Sequence, residues 1–215
     1  MAKVRSIIKL SGTLADTTFV DSKAYGAHAR AKRGTYTPIT LADGMKQSAK
    51  AQIEVNQLAK IVFDQVNAFV PGFKNGKFWS RLLSVFRQQY KAGKAYNYQD
   101  FNQMEMRLDH PSSRQGSFRL TGINAEVLQL HYQLCKESTY QIRLLRIASD
   151  PKLQHLYATE MQSIVVTHSS ATNTATVEFS AVPPDAHLLY VLHCDRLIDE
   201  QPSDLLKYQG VKFFG

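Results

Sequence analysis

The spacing of apolar residues turns from helical to strand-like near residue 103, and this change constrains the fold more than any single motif. Beyond it, Leu128, Leu130, Tyr132 and Leu134 alternate with Gln129, His131 and Gln133, the period of two of a half-buried strand. Further strands are expected at Met104–Leu108, Tyr140–Ile147, Tyr157–Thr167, Thr174–Ala181, Leu188–Cys194 and Tyr208–Phe214, with Asn173 and Pro183-Pro184-Asp185 as turn signals between them. About seven strands in about 110 residues is the count and spacing of an immunoglobulin-like or fibronectin-type sandwich. A barrel is the alternative.

Before the change the period is helical. A helix is predicted from Leu41 or Asp43 to Val70, with Val55, Leu58, Val62, Val66 and Phe69 on one stripe and Pro71-Gly72 as its stop. A second runs from about Lys77 to Ala92. One side carries Phe78, Trp79, Leu82, Leu83, Val85, Phe86 and Tyr90; the other carries Lys77, Arg81, Arg87, Lys91 and Lys94. The short connection makes the pair an antiparallel helical hairpin.

The N-terminal stretch reads as a small β unit. Arg5 to Lys9 has a strand pattern, Ser11-Gly12-Thr13 supplies a turn, and Thr17 to Val20 restarts the strand. Tyr25-Gly26 marks a second turn. Ala27 to Arg33 is a third short strand or an extended arm carrying Arg30, Lys32 and Arg33. So small a unit buries little by itself and needs a surface to pack on. The run Ile8-Lys9-Leu10-Ser11-Gly12-Thr13-Leu14, with Phe19, Tyr25-Gly26 and Arg30, resembles the opening of uncharacterised Bacteroidota proteins of about this length. Those begin K-L-x-G-T-[IL], and Ala15 stands where their run has glycine. The resemblance implies a β-hairpin followed by helices and brings no activity or site residues with it.

At 215 residues, 44% apolar and 20% charged, the composition is that of a globular protein with a real core. Neither a spanning apolar run nor a secretion signal is read, so the expected location is the cytoplasm or an assembled particle, without a membrane partner. The net charge of +8 is uneven: residues 1–100 hold 16 Lys and Arg against 6 Asp and Glu, and residues 101–215 hold 10 against 12. The excess suits an anionic partner for the first part.

Gly72-Phe73-Lys74-Asn75-Gly76-Lys77 has three residues between its glycines where a phosphate loop has four, and Phe78 stands where a magnesium-binding hydroxyl belongs. The histidines make no metal spacing; in His193-Cys194-Asp195, neighbours on a strand point to opposite faces and cannot all meet one ion. Cys135 and Cys194 are read as free thiols rather than a sandwich disulfide, because Cys135 is in phase with the polar side of its strand. No cofactor, metal or catalytic residue is assigned.

The expected architecture is therefore α+β: an N-terminal β-hairpin unit with the helical hairpin over residues 1–102, then an antiparallel β-sandwich over 103–215. The expected role is a non-enzymatic structural or protein-interaction component of a larger assembly, with a protein partner or self-association through strand addition by the N-terminal hairpin, residues 3–34. The alternative is a binder of nucleic acid or another polyanion through the basic helix face, which lacks the interleaved aromatics of a base-stacking surface. In either case the candidate surface is Arg30, Lys32, Arg33, Lys77, Arg81, Arg87 and Lys91.

Overall fold

The computed structural model describes residues 2–3, 11–22, 26–32, 42–71, 73, 76–107, 116–122, 124, 126–168, 171–202 and 210–215. The chain divides into two compact units, Met1–Lys46 and Gln47–Gly215. The division falls in the first turn of the long helix, whereas the sequence placed it between residues 102 and 103. The reason is that the helices share a core with the strands that follow them.

In the first unit β1 (Ala2–Lys3), β2 (Gly12–Leu14), β3 (Thr17–Ser22) and β4 (Gly26–Ala31) form an antiparallel sheet in the order β1-β4-β3-β2. Gly12 and Thr13 of the expected turn at Ser11-Gly12-Thr13 lie instead in a strand: Gly12 pairs with Phe19 and Thr13 with Thr18. The chain reverses through Ala15-Asp16, with Ala15 at φ 50°. That left-handed conformation is costly for a residue with a Cβ. The expected strand at Arg5–Lys9, the turn residue Tyr25, the linker at Pro38 and the arm residue Arg33 lie outside the described residues.

The second unit contains α1 (Asp43–Phe69, whose first turn precedes the division) and α2 (Phe78–Lys91), close to the expected spans. Val55, Leu58, Val62, Val66 and Phe69 of the α1 stripe are all buried. On α2 the apolar stripe holds except at its end, where Tyr90 is exposed and Gln89 is buried instead. Gln89 Nε2 donates to Asn97 O (3.0 Å) and Asp100 Oδ2 (2.9 Å), so its amide holds the chain leaving the helix. Gly93, at φ 63°, closes α2: its N–H meets Tyr90 O, and Lys94 N–H meets Gln89 O. Glycine is favoured there because that cap is left-handed.

Beyond a short 3-10 turn (Gln99–Phe101) come β5 (Glu105–Arg107), β6 (Gly116–Gly122), β7 (Val127–Leu134), β8 (Thr139–Ser149), β9 (Leu156–Thr167), β10 (Asn173–Glu178), β11 (His187–Ile198), β12 (Gln201–Pro202) and β13 (Gly210–Phe214). One antiparallel sheet runs β5-β13-β11-β8-β9, with β12 paired to β11; the other runs β10-β7-β6. β6 and β12 were not foreseen. Gly116 opens β6 so close to β7 that a Cβ there would stand 2.6 Å from the Gln133 carbonyl oxygen.

The larger sheet is buried on both faces. On one, Leu145, Ile147, Leu189, Val191, Val211 and Phe213 pack with the α1 and α2 stripes, and Phe78 lies 6.0 Å from Phe213, ring to ring. On the other, Tyr140, Ile142, Leu144, Tyr190 and Leu192 pack with Phe118, Leu128, Leu130 and Tyr132 of the smaller sheet. The second unit is thus a helical layer, a large sheet and a small sheet, an α+β arrangement with antiparallel sheets.

Candidate interaction surfaces

β9 is the last strand of the large sheet, and among the described residues no strand pairs with its outer side. It is 12 residues long, without proline or a basic residue, and Glu160 is its one charged group. His168 N–H donates to Ser138 O at 2.9 Å, and the register continues with Val166 opposite Tyr140 and Ile164 opposite Ile142. Bonded pairs recur every second residue of an antiparallel ladder. From Ala158 on, the even-numbered residues of β9 therefore turn their backbone groups toward β8, and Thr159, Met161, Ser163, Val165 and Thr167 turn theirs outward. These five are also exposed, Met161 at 54% and Val165 at 63%. Met161 opposes Leu145 and Thr159 opposes Ile147, so their side chains lie on the sheet face that the helices cover further in.

Glu160 is not available to guard this edge. Its Oε2 accepts from Arg146 Nη2 (2.9 Å) and from Ser180 N–H (2.9 Å), and its Oε1 from Gln162 Nε2 (3.0 Å). Desolvation pushes the carboxyl up, but the Ser180 and Gln162 donors and the Arg146 guanidinium outweigh it and hold it below the usual carboxylate range. Arg146, 1% exposed, also donates to Ser180 O (2.8 Å) and lies 4.8 Å above the Phe179 ring. The pair secures β9 to the chain that follows β10.

The cations singled out in the sequence are not brought together into one engaged surface. Arg33 lies outside the described residues; Arg30 is half-buried with its Nε unbonded, and Lys32 is exposed. On α2, Arg81 Nη1 donates to Glu105 O (3.0 Å) and meets Met106 Sδ (3.0 Å), so it ties the helix to β5. Arg87 donates through Nε (3.2 Å) and Nη2 (2.5 Å) to Gln52 Oε1, which ties α2 to α1. Lys77 and Lys91 are exposed.

Two buried polar groups escaped sequence reasoning. His193 and Asp195 point to the same face and meet at 2.8 Å, Cys194 points to the other, and Arg143 Nη2 reaches the same Asp195 oxygen at 3.1 Å. His193 Nδ1 also contacts Gly210 O at 2.9 Å. The second group is Tyr98, whose hydroxyl bonds Ser149 Oγ (2.8 Å) and whose phenol is pushed up to about 12 by burial, against that bond and with the Asp150 carboxylate. The sequence signal for the first was the i, i+2 spacing of His193 and Asp195; for the second there was none. Cys135 is exposed and Cys194 buried, both as thiols. Among the described residues no group of His, Cys, Asp and Glu could hold a metal ion, and no helix is long and apolar enough to cross a membrane.

No family model matches the chain, and no curated protein matches it in sequence. Among solved structures, the selenocysteine ("SeCys") form of the E. coli curli protein CsgC overlaps 37% of this chain and 83% of its own, at 9% identity and a TM-score of 0.21. A similarity that low transfers neither fold nor function.

Proposed function

We propose that the chain is a non-enzymatic structural or protein-interaction component of a larger assembly, in the cytoplasm or in an assembled particle, and that it joins its partner by strand addition. The observation that carries this reading is β9, a long edge strand with outward backbone groups, exposed Met161 and Val165, and no outward charge. Edge strands are usually blunted by lysine, proline or brevity; an edge with none of these is a template for another strand. The two facing sheets supply a rigid framework of immunoglobulin- or fibronectin-like kind. The first unit offers a second, shorter edge in β2, where Leu14 is 74% exposed. A polyanion surface on α2 has less support, since Arg81 and Arg87 bond within the chain.

Light scattering and pull-down with the full chain and with a chain starting at Thr35 test the proposal. Association that survives the truncation and is lost on Val165→Lys places the joint at β9. A strict monomer that captures no partner in either form would sink the reading.

A further inference from the structure

We infer that the strand added to β9 is β9 of a second copy, antiparallel to the first around a two-fold axis at Ser163. This rests on the strand-addition reading and names its partner. The residues whose backbone groups face outward read Thr159, Met161, Ser163, Val165, Thr167: hydroxyl, apolar, hydroxyl, apolar, hydroxyl. The pattern is the same in both directions from Ser163. A two-fold interface requires such self-complementarity, because each residue meets the symmetry mate of its partner.

With Ser163 on the axis, Met161 faces the partner's Val165, and Thr159 faces the partner's Thr167. Apolar groups then meet apolar groups and hydroxyls meet hydroxyls, the pairings that stabilise a ladder. Moving the axis to residue 162 sets Met161 against the partner's Ser163 and Thr159 against the partner's Val165. Moving it to Met161 recruits Tyr157, where the register with β8 shifts between Ala148 and Ser149 and the edge is no longer regular. No like charges oppose each other, since the outward face carries none and Glu160 is held by Arg146. Ser163 Oγ accepts from Gln141 Nε2 at 3.0 Å, which leaves its own proton to donate across the axis. The six-stranded large sheets of the two copies join into one of twelve strands, within the range of roughly 8–15 that large open sheets reach.

The test is cysteine cross-linking with light scattering, on the full chain in a Cys135→Ser background. Opposed residues of a bonded antiparallel pair have Cα atoms about 5.5 Å apart, within disulfide range. Ser163→Cys is therefore expected to give a covalent dimer under mild oxidation. Met161→Cys is expected to give none, because its two copies stand about 14 Å apart in this register. Ser163→Pro removes an outward N–H and leaves the β8 ladder intact, so it should raise the dimer dissociation constant at least tenfold with an unchanged circular dichroism spectrum. Val165→Lys should do the same. Cross-linking through Met161→Cys instead, or a dimer indifferent to both edge variants, overturns the inference. A monomer that binds a different protein in a β9-dependent way overturns self-pairing alone; a monomer without any partner overturns the strand-addition reading as well.

Discussion

Asp195 is the residue on which most depends locally: it faces His193 and Arg143 together, and its side chain is only 5% exposed. Asp195→Ala leaves the Arg143 guanidinium and the His193 ring without their shared carboxylate, and about 3–5 kcal/mol of stability should be lost in urea titration, the usual cost of breaking a buried ionic group. Glu160 gives a pH signature. Its folded pKa lies below its ordinary value, so its contribution is present above the unfolded pKa of about 4.3 and is lost as pH falls through the folded value. Glu160→Gln should therefore flatten the acid limb of the stability–pH curve, which denaturation at a series of pH values will show. Ala15, at φ 50°, makes the opposite prediction. Ala15→Gly should stabilise the β2–β3 turn by about 0.5–1 kcal/mol, the relief of left-handed strain less the added chain entropy, read as slower amide exchange there.

At the scale of elements, the helices were legible because amphipathic spacing is a local property. Val55, Leu58, Val62, Val66 and Phe69 fall on one side of any helix, whatever it packs on. The end of α2 was not legible, since Gln89 is buried only to bond Asn97 and Asp100 in the chain beyond. β6 was missed for a related reason. Its sequence GSFRLTG has few apolar positions, and its place is set by pairing with β7, where Gly116 meets the Gln133 backbone. Gly116→Ala should accordingly cost about 1–3 kcal/mol through forced backbone movement. A loss below 0.5 kcal/mol in chemical denaturation would show that the two strands separate easily.

At the scale of the second unit, the large sheet belongs to two cores at once. Leu144 and Leu145, adjacent on β8, serve the inter-sheet layer and the helix layer respectively. Helices and sheets should therefore unfold together. Leu58→Ala on the helix side and Leu144→Ala between the sheets should each cost about 2–5 kcal/mol and lower one shared transition. Trp79 fluorescence and far-ultraviolet circular dichroism should then give coincident melts; separated transitions would mean that the helical layer is an independent module. All described members of both clusters lie between Val55 and Phe214, so a chain starting at Thr35 should melt at nearly the same temperature.

By itself the sequence determined the two helices and the strand-rich region after them, the buried stripe of each helix, the alternating face of β7 and the polar exposure of Cys135, because period and phase are properties of neighbouring residues. Tertiary structure alone decided that the helices cover the large sheet, that His193, Asp195 and Arg143 meet, that Arg81 and Arg87 bond within the chain, and that β9 is left at an edge. Each depends on which distant segments become neighbours, and strand order is set by packing over the whole unit rather than by any local pattern.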